Sequence, residues 1–403
     1  MIACAVIIAI DLTAIAMRRA RYSGDFDISM EFGRRFVAGE HLYRGGLHFP
    51  YLPAAAMFFA PFAMLPKPLA FALFYCMAIA CLWLTMRMLA AMASDVHPNL
   101  RERTWPIAAA TLILASHYII RDLDDAGPNL VLLALAMAGI HYARAGRETA
   151  AAAYFGAAAA FKATAALFIP FLIWKRRFRL AIFTMIGTGL WIGLPALRMG
   201  GANWWAHQRE WLRSAAGFAA GYNAAAAHYY GAGNVGNQAL RAAVSYLLIT
   251  RLRVGPGAAH TAGVAAAAAL MGIFGALTVR PYDRLRWLRE SGGLLIVALL
   301  LSPIAWIQHL VLAIPAIYLI SAGYFAGEHF GPLPAAAMTL YAVLALILNR
   351  AVLGKVRYET LLKYHAQTLC MLLVLAVLML TREASALPAR RRRPNDAIIE
   401  AAD

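Results

Sequence analysis

The run T-A-A-A-A-Y-F-G-A-A-A-A-F-K-A-T-A-A-L-F-I-P-F-L-I-W-K-R-R-F-R, residues 149–179, holds one charge, Lys162, before it reaches the basic cluster at 175–179. A helix needs about 20 apolar residues to cross a bilayer. The 26 residues from Thr149 to Trp174 are therefore apolar enough for a membrane but too short for two crossings. Lys and Arg gather in cytoplasmic loops, and R-A-G-R at 144–147 precedes the run while K-R-R-F-R follows it. Both ends thus read as lying on the same side. The consistent solution is a dipping hairpin of two half-helices broken near Lys162, because irregular backbone at membrane depth is tolerated only against protein or a wet cavity.

The rest of the chain agrees. Of its 403 residues 62% are hydrophobic and 14% charged, with a mean hydropathy of +0.63. A soluble globular chain is typically about 45–50% apolar and about 25% charged. Such a chain has too few charges to cover a soluble surface, and the expectation is an all-α polytopic membrane protein of 11–13 spans, some of them half-helices. Spans are expected at 2–17, 68–92, 107–120, 129–143, 179–197, 258–279, 290–303, 309–325, 334–349 and 365–381, besides the hairpin. One integral domain, 1–381, precedes a basic cytoplasmic tail, 382–403. Outer loops are expected at 18–50, 121–128, 198–257, 302–309 and 350–364.

The chain has 37 Lys and Arg against 20 Asp and Glu, a net charge of +17. In a soluble protein this would suggest nucleic acid; here it marks topology. Seventeen basic residues fall in five short inner segments and 17 in outer segments about twice as long in total. Span 1 lacks a basic flank, which leaves the expectation that the natural chain begins upstream. Cys4, Cys76, Cys81 and Cys370 sit in apolar runs without C-x-x-C spacing and read as packing residues.

On this topology the polar residues that are hardest to explain collect on the outer side. In S-G-D-F-D-I-S-M-E-F-G-R-R-F-V-A-G-E-H-L-Y, residues 23–43, Phe26, Ile28, Phe32 and Phe36 suit a helix lying on the membrane surface. Asp25 reads either as its N-cap or as a general base, with Asp27 the alternative base. R-D-L-D-D-A-G-P-N, 121–129, is either a solvated turn closed by Gly127-Pro128 or an oxygen-rich site for a divalent ion. S-P-I-A-W-I-Q-H, 302–309, offers Trp306 and His309 as interfacial anchors or as site groups. In H-Y-Y-G-A-G-N-V-G-N-Q, 228–238, Asn237 and Gln238 can meet sugar hydroxyls or belong to a flexible loop. Lys162 either neutralises a phosphate or snorkels to the surface.

In this order, the segments resemble glycosyltransferase family 87, membrane enzymes of the GT-C class. The family pattern has an acidic residue after the first span and then G-x-x-L-Y, here D-F-D-I-S at 25–29 and G-E-H-L-Y at 39–43. Its aromatic Y-x-P is Tyr51-Leu52-Pro53, and its G-Q-x-N turn is G-P-N at 127–129, ending on Asn129. Its K-x-x-P is K-A-T-A at 162–165, its N-Q-S is N-Q-A at 237–239, and its S-P-x-S-W-x-H-H is S-P-I-A-W-I-Q-H. Departures are the absent Gln of the turn, the absent Pro after Lys162, Ala239, Ala305, and Gln308 in place of the first His.

The resemblance implies transfer of a sugar, commonly mannose, from a polyprenyl-phosphate donor. The acceptor is a lipid-linked or glycan molecule on the outer face of the inner membrane. It implies Asp25 as catalytic base with His309 as partner. Lys162, Trp306, Asn237, Gln238, Asn129 and Tyr51 become candidates for binding donor phosphate or sugar. The expected partners are donor, acceptor and membrane lipids, with no nucleic acid. A phosphate-activated donor makes a divalent cation optional, so no metal ligand is assigned. Two other classes share these spans: a transporter or flippase of a lipid-linked sugar, and a non-catalytic membrane assembly subunit.

Overall fold

The structure, a computed structural model, describes residues 25–43, 51–220, 236–279, 282, 284–328 and 330–381. Span 1, the start of the first outer loop, the loop at 228–235 and the basic tail lie outside the described residues. Among the described residues every regular element is helical. The order begins with α1 (Asp25–Ala38), α2 (Pro53–Ala63), α3 (Lys67–Val96), α4 (Thr104–Asp125), α5 (Asn129–Arg144) and α6 (Glu148–Phe161). It continues through α7 (Phe168–Trp174), α8 (Phe178–Gly193), α9 (Ala196–Met199), α10 (Gly201–Ala220), α11 (Leu240–Arg251) and α12 (Pro256–Leu277). It ends with α13 (Arg284–Leu301), α14 (Ile314–Ala326), α15 (Pro332–Ile347), α16 (Arg350–Lys363) and α17 (Ala366–Leu380).

Among the described residues four stretches are long and apolar enough to cross a membrane: Lys67–Val96, Phe178–Met199, Pro256–Leu277 and Ile307–Ala326. Two bent pairs add to them, Pro98–Asp125 with Asn129–Arg144 at 119° and Val352–Lys363 with Ala366–Leu380 at 69°. The remaining apolar elements are shorter, so the expected spans are built from helices of unequal length. The hairpin breaks at Lys162, which is extended (φ −140°, ψ 115°) between α6 and a 3-10 turn, Ala163–Leu167.

The alanine-rich sequence of α6 has a packing purpose. A Cβ on Gly156 would lie 2.6 Å from the Gly187 carbonyl carbon, and one on Gly187 2.9 Å from the Ala152 oxygen. Small residues let the α6 and α8 backbones touch, the packing that membrane helices use where hydrophobicity supplies no drive. In the same way Gly33 lets α1 cross α2, since a Cβ there would meet the Phe59 oxygen at 2.7 Å.

Two apolar clusters result. The larger binds α3 to α8 with α13 to α17. The smaller seats α1 on α2 and the start of α3, through Phe26, Phe32, Phe36, Phe59, Phe71 and Phe74. It also takes in Tyr51, and with it Ala126 and Phe161, the neighbours in sequence of the 127–129 turn and of Lys162.

The helix ends separate into two levels. At one, Arg144 pairs with Asp95 at 2.7 Å, Lys175 with Glu290 at 2.9 Å, Arg177 with Glu148 at 3.0 Å and Arg289 with Glu328 at 3.2 Å. These residues come from the segments expected to face inward. The other level carries the polar residues considered next.

Candidate active site

The α4–α5 corner sets the first part of the site. α4 stops at Asp125, Ala126 takes a left-handed conformation (φ 47°), and Gly127 and Pro128 lead into α5. The corner folds Asp122 inward, where it is fully buried. Asn129 Nδ2 donates to Asp122 Oδ1 at 2.8 Å, and the Leu130 N–H donates to Oδ2 at 3.1 Å. A carboxylate placed so caps the start of α5 and meets the positive end of its dipole. Gly127 leaves it room, for a Cβ there would clash with Asp122 Oδ1.

Asn129 passes the arrangement on. Its Oδ1 accepts from Lys162 Nζ at 3.1 Å. Because the chain is extended at Lys162, the side chain leaves the end of α6 toward this corner. The ammonium also lies 5.8 Å from the centre of the Tyr51 ring, within reach of a cation–π contact. Asp122, Asn129, Lys162 and Tyr51 thus form one connected group.

The 302–309 segment closes the group from the other side. Asn237 is fully buried and receives the Ala239 and Ala305 N–H groups at 3.1 and 3.0 Å, while its Nδ2 donates to the Pro303 carbonyl at 3.0 Å. The Gln238 N–H donates to the Ala305 carbonyl at 2.7 Å, and its side-chain Nε2 donates to the Leu362 carbonyl at 3.2 Å. The two amides expected to face sugar are therefore engaged with backbone, and they fix the segment that carries Trp306 and His309. The Trp306 N–H donates to His309 Nδ1 at 3.2 Å. A neutral ring that accepts at Nδ1 carries its proton on Nε2. Lys162 and His309 lie within electrostatic reach of each other, as does Tyr51 of Asp25 and Asp122.

Asp25 is the first residue of α1 and is exposed. Gln308 Nε2 donates to its Oδ2 at 3.4 Å. Two residues on, Asp27 is in an ion pair with Lys67 at 2.8 Å. The structure thus brings Asp25, Tyr51, Asn129, Lys162 and His309 to one place and gives Asp27 a partner elsewhere. Gln308 joins them with no role expected from sequence, and Asp122 joins them as a buried acceptor for Asn129 and Leu130. The acids of 122–125 do not act as one group: Asp124 and Asp125 pair with Arg121 at 3.6 and 3.1 Å, apart from Asp122. Among the described residues no cluster of three or more His, Cys, Asp or Glu has a metal-holding arrangement.

A second contact fixes the segment after α1. The Leu42 N–H donates to His207 Nε2 at 3.0 Å on α10, and His41 meets Glu210 at 3.0 Å. Burial lowers the His207 pKa below 6.5, which keeps the ring neutral and able to accept.

Chemically, this level joins an exposed carboxylate that can take a proton to a half-buried ammonium that can hold an anion, with an imidazole beside the ammonium. No curated protein and no solved structure matches the chain. The sequence model of glycosyltransferase family 87 matches residues 49–303, more than half of the chain, and the protein is a membrane glycosyltransferase of that family.

Proposed function

We propose that the protein transfers a sugar, mannose in the first instance, from a polyprenyl-phosphate donor to a hydroxyl of a lipid-linked or glycan acceptor, with Asp25 as general base. The observation that carries this reading is the difference between the two neighbouring acids. Asp25 is exposed and meets the neutral amide of Gln308, whereas Asp27 faces the Lys67 ammonium. A base must be ionised, reachable and not held by a cation.

In the reaction the Asp25 carboxylate removes the acceptor hydroxyl proton. The oxygen attacks the anomeric carbon from the face opposite the phosphate, and the bond from that carbon to the phosphate oxygen breaks. The transition state has oxocarbenium character, as in glycoside hydrolysis. The lipid phosphate leaves as a stable anion, so the site needs positive charge and hydrogen-bond donors more than an acid. Lys162 and the Nε2–H of His309 supply these, and Tyr51 and Asn129 position Lys162. Trp306 offers a face for the sugar or the first isoprene. Asn237 and Gln238, buried and bonded to backbone, hold the 302–309 segment in place. The basic residues at the ends of α5 and α7 and the start of α13 support a cytoplasmic reading of their level, and with it a site on the outer face of the inner membrane.

The test is transfer by the purified protein in detergent, with a panel of labelled polyprenyl-phosphate sugars and an extract of its own membrane lipids as acceptor. Transfer by the wild type and its loss in Asp25→Asn, at unchanged accumulation, are expected. Normal transfer by Asp25→Asn would sink the assignment. Detergent also separates transfer from transport, because transport needs sealed compartments.

A further inference from the structure

Gln308 stands where the family pattern has the first of two histidines, and it is the residue that meets Asp25. It is the second residue of the 3-10 helix Ile307–Ala313 and is 8% exposed, so its carboxamide is held by packing while the carboxylate it reaches is exposed. The charged and titratable groups placed around that carboxylate come from several elements. They are Asp27 two residues on, with its partner Lys67; Tyr51, which lies within electrostatic reach of both Asp25 and Asp122; and His309 next to Gln308, with Lys162 within its reach. α2, which packs on α1, carries no charged residue.

We propose that Gln308 is a positioning residue that fixes the orientation of the Asp25 carboxylate through its Nε2 hydrogen bond. This rests on the reading of Asp25 as the base. A carboxylate at a helix start has free rotamers, and a base must point at the proton it takes. The buried amide selects one of those rotamers. The contact is 3.4 Å long; catalytic hydrogen bonds are often long before substrate binds. The exchange of His for Gln also has a chemical consequence. An imidazole there would titrate near neutral pH and compete for the acceptor proton. A carboxamide donates at every pH and takes no proton. Gln308 therefore leaves Asp25 as the group at that point that accepts the proton.

The test sets donor chemistry against shape. Gln308→Glu keeps the shape nearly unchanged and removes the donor. Gln308→His changes the shape and keeps an N–H donor. With whichever labelled donor the wild type turns over, transfer by Gln308→Glu falls by roughly tenfold or more, and Gln308→His stays within about threefold of the wild type. Modification of the Asp25 peptide by a water-soluble carbodiimide at one fixed pH, read by mass spectrometry, follows the same contact without substrate. Its extent changes in Gln308→Glu, which loses the donor and sets a second carboxylate against Asp25, and stays near the wild type in Gln308→His, which keeps a donor. Transfer by Gln308→Glu at the wild-type rate, an equal loss in both variants, or unchanged modification in Gln308→Glu would each overturn the proposal. If Asp25→Asn is inactive while Gln308→Glu is normal, the role of Gln308 fails alone. If Asp25→Asn transfers normally, the base assignment fails and takes this proposal with it.

Discussion

The basic end of the helix bundle and the candidate site near its other end handle charge in opposite ways. At the basic end cations meet carboxylates directly, as in Lys175 with Glu290, Arg177 with Glu148 and Arg144 with Asp95. At the candidate site, flanked by the direct pairs of Asp27 with Lys67 and of Arg121 with Asp124 and Asp125, a neutral amide stands between the charges. Lys162 reaches Asp122 through Asn129, and Asp25 meets Gln308. A direct ion pair is satisfied and resists rearrangement. A charge met by an amide is oriented without being neutralised, and keeps its field for a substrate. The first arrangement suits a structural join, the second a site that must receive an anion and a proton.

The comparison can be broken at several strengths. The largest effect on stability is expected at the basic end. Lys175→Met leaves Glu290 buried and uncompensated, which typically costs about 3–5 kcal/mol. The melting temperature in detergent should fall sharply, and Lys175→Met with Glu290→Leu should recover most of the loss. No recovery in the double variant would show that the pair is not the join it is taken for.

At the other end the same kind of change should spare the fold and cost activity. Lys162→Met should lower transfer by roughly 10²–10³-fold, the scale for losing one electrostatic group at a developing anion. Its melting temperature should move much less than that of Lys175→Met. A variant as unstable as Lys175→Met would make Lys162 a structural residue. Gly127→Ala is a gentler version, since the added Cβ displaces Asp122 and through it Asn129. Overpacking costs about 1–3 kcal/mol, and transfer should drop by roughly tenfold or less. Unchanged transfer would mean that Asp122 does not act on Lys162 through Asn129.

The smallest effect concerns the join between the segment after α1 and α10. The folded pKa of His207 is lowered by burial from 6.5. Its contribution is therefore complete above the unfolded value and is lost as pH falls from there toward the folded value. Proteolysis between α1 and α2 should increase modestly below about pH 6. In His207→Gln, which accepts through its side-chain oxygen without titrating, that increase should vanish.

Much of the fold was legible because membrane length is a strict ruler. The stretch 149–174 cannot hold two crossings, and the chain does break at Lys162. The apolar stripe of α1 was readable, but its partner was not: Phe26, Phe32 and Phe36 are buried against α2 and α3, where the sequence suggested a helix laid on the membrane surface. The site was legible in part. Tyr51, Asn129, Lys162 and His309 meet near Asp25, but the meaning of Asp122 depends on the 119° corner and a left-handed Ala126, which are tertiary results. Asp27 and Asp25 look alike in sequence, and what separates them is Lys67, 40 residues away. Asn237 and Gln238 offer amides that suit either sugar or backbone; only the fold shows them bound to Pro303, Ala305 and Leu362.

The most direct test of the account is to compare Asp25→Asn with Asp27→Asn in one assay of labelled sugar transfer in detergent. The Asp25→Asn enzyme should lose about 10²–10⁴-fold, the range for general base catalysis. Asp27→Asn, which removes only an exposed pair with Lys67, should keep activity within a few-fold. Transfer retained by Asp25→Asn and lost in Asp27→Asn would contradict the assignment of the base and the reading of this end of the molecule that rests on it.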